Sequence, residues 1–217
     1  MGVTYSRDGA DELVYLDISA TQEGRRTFAA LVKRIAQGID IPFTVGGGIG
    51  SIEDAARLLD AGADKISVNS AAIADPKLIS RIASKYGSQF VVVAIDAKCI
   101  DGRWTCTTHG GKRLTDVELF AWASEAQERG AGEILFTSMD HDGTCAGYAD
   151  EVYAQLADEL TIPVIASGGA GSVEDIRRVL TKGRADAALA ASIFHSGQIP
   201  IPTLKQALRT AGINVRM

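Results

Sequence analysis

The sequence predicts an α/β protein built on a parallel sheet of the barrel type, and three observations carry that prediction. Short apolar runs at residues 13–18, 42–45, 65–68, 90–95, 134–136, 163–166 and 187–190 alternate with longer amphipathic segments. Near-continuous apolar strands separated by helices require a sheet covered on both faces, which is a parallel one. The chain also repeats itself. GADELVYL from Gly9 matches GAGEILFT from Gly130, 121 residues on. FTVGGGIGSIEDAARLLDAGADKISVNSAA from Phe43 matches VIASGGAGSVEDIRRVLTKGRADAALAASI from Val164 at the same offset, with one extra residue near Arg184. Finally, two copies of a four-strand unit make eight strands over roughly 240 residues, and eight parallel strands can close without edges. The expected fold class is thus a (β/α)8 TIM-barrel type with a half-barrel internal repeat.

Seven strands are legible rather than eight. Shifting the 90–95 strand back by the repeat offset places its partner before residue 1, so the first strand, its loop and most of its helix are expected to be missing. The opening MGVTYSRDG reads as the tail of that helix. A barrel truncated at its N-terminus to about seven strands in one domain, residues 1–217, is the reading; a seven-stranded or open sheet is the alternative.

The connecting segments justify themselves in turn. RTFAALVKRIAQGI, SIEDAARLLDAG, PKLISRIASKYG, DVELFAWASEAQERG, DEVYAQLADEL, SVEDIRRVLTKG and PTLKQALRTAG are apolar at three- and four-residue spacing, and most end in glycine. Ser51 with Asp54, and Ser172 with Asp175, form relaxed capping boxes, with Asp where the strict pattern has Glu or Gln. Between the fourth legible strand and its helix, DGRW and GGK punctuate β-prone residues, so a hairpin excursion is expected at about 97–112.

Composition excludes several classes of function. The 217 residues carry 22 Lys plus Arg against 27 Asp plus Glu, a net charge of -5 that gives no general attraction to nucleic acid or anionic membrane. No run of 18 apolar residues exists to span a membrane, and the N-terminus lacks a signal-peptide pattern. Cys99, Cys106 and Cys145 are odd in number with no CxxC spacing, which points to reduced thiols in the cytoplasm.

Chemistry concentrates where strands give way to loops. Gly46-Gly47-Gly48 and Gly168-Gly169 each follow a strand and precede a helix, where backbone N–H groups can approach an anion. The next strand of each copy ends in Asn69-Ser70 or Ala191-Ser192. Two such loops imply a long ligand with a phosphate at each end; tight packing is the bland alternative. GGGIGS lacks the dinucleotide spacing, so no nucleotide cofactor is implied. Asp17, Asp96 and Asp140 close apolar runs, and carboxylates there are seldom needed for folding. Asp96 is the first candidate for general acid–base work. Thr44, Thr137 and Ser167 end neighbouring strands and could bond substrate. A metal held by Asp17, Asp140 and Asp142 is weakly supported, because no histidine joins them at ligand spacing, and no metal site is expected. His109, His141 and His195 read as solvent-facing or structural, and Trp104 and Trp122 as packing. Glu12, Lys65 and Glu133 open strands, giving either a salt-bridged floor or a gate and docking face for a partner.

The runs ADELVYLDISA, PFTVGGGI, GADKISVNSAA, VVVAIDAK, TSMDHDGT, IASGGAG and ADAALAASIFH, in order over nearly the whole chain, resemble the cyclase subunit family of imidazole glycerol phosphate synthase. The terminal ALRTAGINVRM and the DAK after the fifth strand resemble the cyclase rather than the related half-barrel isomerase of histidine biosynthesis. The resemblance implies a partner glutamine amidotransferase whose ammonia passes through the barrel. It implies a bisphosphorylated ribulosyl-formimino aminoimidazole carboxamide ribonucleotide as substrate, cleaved to imidazole glycerol phosphate and aminoimidazole carboxamide ribonucleotide. It maps a catalytic aspartate onto Asp96 and further mouth residues onto Asp17, Thr137 and Ser167. Phosphate ligands fall on Gly48, Asn69 and Ser70 at one end, and on Asp142, Gly143, Gly169, Ala191 and Ser192 at the other. The ammonia gate falls on Glu12, Lys65 and Glu133.

The second catalytic aspartate, a loop lysine and the gate's arginine belong to the family's first strand, which is not found here. Negligible cyclase turnover is therefore expected of this chain, with phosphate affinity retained and self-association through exposed sheet edges. The extra residue in GRAD is expected to disturb the second phosphate loop. A non-catalytic phosphate-binding or amidotransferase-docking relic, and the sugar isomerase, are the other readings.

Overall fold

The computed structural model describes residues 1–17 and 27–217. Ile18, the expected end of the first strand, and Arg26, the expected start of the next helix, lie outside the described residues. The strands are β1 (Leu13–Leu16), β2 (Phe43–Gly46), β3 (Lys65–Val68), β4 (Val91–Ile100), β5 (Arg103–Thr108), β6 (Arg113–Glu118), β7 (Glu133–Ser138), β8 (Val164–Ser167) and β9 (Ala187–Ala188). Their hydrogen-bonded order is β1-β2-β3-β4-β7-β8-β9, with β5 and β6 branching from β4. Seven parallel strands in chain order, joined through helices, are an α/β fold of the (β/α)8 TIM-barrel type. The chain divides into two compact units.

The first unit comprises residues 1–93 and 128–132. It opens with helix α1 (Gly2–Arg7), followed by β1, α2 (Thr27–Ala36) and β2. All four residues of β2 are buried, as a strand covered on both faces must be. Helix α3 (Ile52–Asp60) buries Ala55 and Leu58, and α4 (Ser70–Ala74) leads into α5 (Lys77–Tyr86), which buries Leu78, Ile79 and Ile82 at helical spacing. The first residues of β4, Val91, Val92 and Val93, pair in parallel with Ile66, Ser67 and Val68. Thr44 is not at a strand end. It is the second residue of β2, 3 % exposed and paired with Val14 and Lys65, so it belongs to the core.

The second unit comprises residues 94–127 and 133–217. Here β4 continues to Ile100, past the apolar run that ends at Ile95, because β5 pairs with it antiparallel from Asp96↔Thr107 to Ile100↔Arg103. β6 adds a third strand through Thr105↔Glu118 and Thr107↔Leu114. That pairing removes Asp116, Val117 and Glu118 from the helix their spacing predicts, and α6 (Leu119–Glu128) begins later. Glu118 then accepts the Ala121 N–H at 2.8 Å, closing one of the donors a helix start leaves open. Around β7 and β8 lie α7 (Asp150–Glu159), α8 (Val173–Thr181), the short α9 (Ser192–His195) and α10 (Ile201–Thr210). Trp104 stands edge-on to Phe136 at 5.7 Å between ring centres, and Trp122 is buried, so both indoles serve packing.

The repeat extends to individual hydrogen bonds. In one copy Asp64 accepts the Phe43 N–H at 2.9 Å and its own N–H returns to the Phe43 carbonyl. Asp186 does the same with Val164 in the other. The extra residue is absorbed ahead of this pair. Arg184 takes a left-handed conformation (φ 54°) and its guanidinium bonds Asp158 and the Ala154 carbonyl, so Asp186 keeps the register of its counterpart.

Candidate functional site

In the first unit the Gly47–Gly48 turn leaves β2 with φ of 107° and 68°, values that L side chains rarely adopt. A Cβ on Gly47 would also collide with the Asp17 carbonyl. The collision records how closely the turn follows β1, whose successor Asp17 donates its N–H to the Gly46 carbonyl at 2.9 Å. Asp17 is half-buried, Gly48 exposed, and Asn69 and Ser70 half-buried where β3 passes into α4. In the second unit Gly168 and Gly169 repeat the turn with φ of 84° and 114°. Asn69 (φ −134°, ψ −94°) and Ala191 (φ −120°, ψ −65°) share a backbone conformation, each ahead of a short helix. The two loops are thus the same in local geometry but not in side chains: Asn69 offers an amide where Ala191 offers only its backbone.

The longer helices after these turns are already closed at their N-termini. Ser51 accepts the Asp54 N–H, and the Asp54 carboxylate accepts both the Ser51 hydroxyl and the Gly50 N–H at 2.9 and 3.0 Å. Ser172, Asp175 and Gly171 repeat this arrangement. A carboxylate in the first turn also meets the positive end of the helix dipole.

Asp96 is half-buried and sits in the middle of β4 rather than at its end, where parallel pairing gives way to the antiparallel excursion. Its carbonyl accepts the Thr107 hydroxyl at 3.1 Å, which fixes the backbone beneath the carboxylate. Its charge reaches Cys106: burial, then Glu118 and Asp96, push that thiol up to about 12. Thr137 is half-buried near the end of β7, in register with the buried Ser167 that ends β8. Asp142 and Gly143 lie on the exposed turn after β7, where Asp142 donates its N–H to the Ser138 carbonyl.

Asp140 departs from expectation. Its carboxylate accepts the Cys99 N–H at 2.8 Å and so ties the turn after β7 to the far part of β4, a structural task. His141 is likewise structural, 2.7 Å from the Ser138 hydroxyl. Among the described residues no group of three or more His, Cys, Asp or Glu gathers to hold a metal. At the other ends of the strands, Lys65 grips Glu12 with both carboxylate oxygens, at 2.9 and 3.1 Å. Glu133 opens β7, half-buried. Two tyrosines absent from the sequence reading, Tyr148 and Tyr153, bond the backbone of the β7, β8 and β9 ends. Only their hydroxyls separate them in sequence from ordinary core aromatics, and a polar tip inside an apolar helical pattern was the one available signal.

Among the described residues no helix is long and apolar enough to cross a membrane. The model of the histidine biosynthesis protein family matches residues 1–200. The imidazole glycerol phosphate synthase subunit HisF of Phocaeicola vulgatus is 61 % identical over 217 residues, all of this chain and 86 % of that protein. The subunit of the same name from Parabacteroides distasonis is 60 % identical with the same coverage. That from Flavobacterium johnsoniae is 58 % identical over 213 residues, 98 % of this chain and 85 % of its own length. With its glycine turns, its repeat and its β4 aspartate inside that end-to-end match, the chain belongs to the histidine biosynthesis protein family, among its imidazole glycerol phosphate synthase HisF subunits.

Proposed function

We propose that the strand-end loops bind the two phosphates of a ribulosyl-formimino aminoimidazole carboxamide ribonucleotide, and that Asp96 performs acid–base work on it with ammonia as co-substrate. The cyclase and lyase role itself follows from family membership. The observation that carries the substrate reading is the duplicated loop. Gly47–Gly48 with Asn69–Ser70, and Gly168–Gly169 with Ala191–Ser192, share backbone geometry, and each suits one phosphate. Asp142 and Gly143 complete the second loop. Asp17, Thr137 and Ser167 orient the substrate between its phosphates.

Ring closure removes protons from the attacking ammonia nitrogen, and cleavage returns a proton to the departing aminoimidazole nitrogen. A half-buried carboxylate on a rigid strand suits either transfer. We assign Glu12, Lys65 and Glu133 to the gate for ammonia from a glutamine amidotransferase subunit, with the Lys65–Glu12 ion pair as the element that would part to admit it. Three free cysteines support a cytoplasmic home.

Titrating inorganic phosphate while following backbone amide resonances tests the substrate reading. Shifts are expected at Gly47, Gly48, Asn69 and Ser70 and, as a separate set, at Gly168, Gly169, Ala191 and Ser192. Silence in both sets contradicts it.

A further inference from the structure

Tyr153 reaches from α7 to the ends of two strands. Its ring is fully buried, and its hydroxyl lies 2.9 Å from the Phe136 carbonyl of β7 and 2.8 Å from the Ser167 carbonyl of β8. The same oxygen accepts the Ser167 N–H at 3.0 Å. One phenol therefore serves three backbone groups, immediately before Thr137 on one strand and Gly168–Gly169 on the other. Five residues earlier, Tyr148 donates its hydroxyl to the Leu189 carbonyl at 2.9 Å, and the Leu189 N–H returns to the Ala166 carbonyl of β8 at 2.7 Å. The two rings meet edge to face, 6.3 Å between centres. Gly147, next to Tyr148, donates its N–H to the Gly169 carbonyl at 2.8 Å, and a Cβ on Gly169 would strike the Gly147 carbonyl.

We infer that Tyr148 and Tyr153 are positioning residues that fix the second anion loop by bonding the strand backbone on either side of it. The inference rests on the phosphate-binding reading given above. Its physical basis is the cost of a buried unpaired polar group. The Phe136 carbonyl and the Ser167 N–H lie where water has little access, so removing the phenol obliges the β7–β8 ends to shift until they find other partners. That shift moves Ser167 and Gly168, and with them the N–H groups that face the anion. Leu189, tied by Tyr148, sits two residues before Ala191, so the same clamp reaches the strand-end half of the loop. Burial pushes both phenols above the ordinary tyrosine range, so the hydroxyls stay protonated, and able to donate, throughout the pH range of activity.

Among the described residues the first copy has no such device: Val32 stands where the 121-residue offset puts the counterpart of Tyr153. The effect should accordingly be confined to the second loop. Tyr153→Phe and Tyr148→Phe keep the rings and remove the hydroxyls. Leu156→Ala, a fully buried apolar residue on the same helix, provides the control for mere destabilisation. Each full-length variant is titrated with inorganic phosphate, with amide shifts read at both loops and the thermal midpoint recorded.

Both hydroxyl deletions are expected to weaken phosphate at Gly168, Gly169, Ala191 and Ser192 by five- to thirty-fold, leaving Gly47, Gly48, Asn69 and Ser70 unchanged. Leu156→Ala should lower the midpoint while leaving both affinities alone. Parent-like affinity in both tyrosine variants, or an equal loss in Leu156→Ala, overturns the clamp while the phosphate reading stands. No phosphate response at the second loop of the parent overturns the reading and the clamp together. Should Tyr153→Phe fail to fold, Tyr148→Phe alone decides, since its hydroxyl serves a single carbonyl.

Discussion

Cys106 pairs with Ala97 across the β4–β5 ladder, one residue along from Asp96, and the consequences of that placement can be measured in a test tube. Burial, with the negative charges of Glu118 and Asp96, raises the Cys106 thiol to about 12 from an ordinary 9.0. Cys99 and Cys145 are exposed. A thiol reagent at pH 8 should modify two cysteines quickly and the third only on unfolding, because the thiolate is the reacting species. The sign of the linkage follows. The unfolded thiol loses its proton from about pH 9, the folded one near 12, so this group's contribution to stability is whole below pH 9 and declines as the pH rises from there. Denaturant titrations at pH 8 and pH 11, compared for the parent and Cys106→Ala, would show the larger decline in the parent, the raised phenols of Tyr148 and Tyr153 contributing a decline to both. At Asp96 the expected effect is catalytic. In a chain carrying an additional N-terminal strand and loop, Asp96→Asn should lower turnover by about 10²–10⁴-fold while leaving phosphate binding intact. Asp140→Asn, at a carboxylate that serves a backbone N–H, should change stability far more than it changes the chemical step.

Helix starts show how far a repeat can be trusted. Ser51 with Asp54 and Ser172 with Asp175 were legible as caps from spacing alone, and both make the expected bonds. Ser51→Ala and Ser172→Ala should each cost about 1 kcal/mol, the usual loss for an N-cap hydroxyl. Because the two caps lie in separate units, denaturant unfolding should show their losses adding in the double variant. Other elements were legible only in part. The β4 apolar run gives no sign that the strand continues to Ile100, since the continuation is held by cross-strand bonds to β5 rather than by burial. The start of α6 was misplaced for the same reason. Thr115 and Val117 have strand propensity, but only the pairing of β6 with β5 decides that they use it. Asp140 reads in the sequence like Asp96, as a carboxylate closing an apolar run, because sequence shows which residues follow a strand and not which N–H they meet.

For the whole molecule, the repeat was the strongest single signal. It pointed to the strand order and both glycine turns, and the structure has them. Local pattern could not give the tyrosine bonds at the β7, β8 and β9 ends, because these depend on tertiary placement. The repeat also counts eight parallel strands where seven are present among the described residues. The most direct test of the account is ammonia-dependent turnover of the bisphosphorylated ribulosyl-formimino substrate. It should be measured for residues 1–217 and for the same chain preceded by an additional strand and loop bearing a strand-end aspartate, each with and without Asp96→Asn. The account predicts turnover by the extended chain, its loss by at least about 10²-fold in Asp96→Asn, and negligible turnover by residues 1–217. Equal turnover by the two parent chains, or an active Asp96→Asn variant, would contradict it and place the proton transfers on another group.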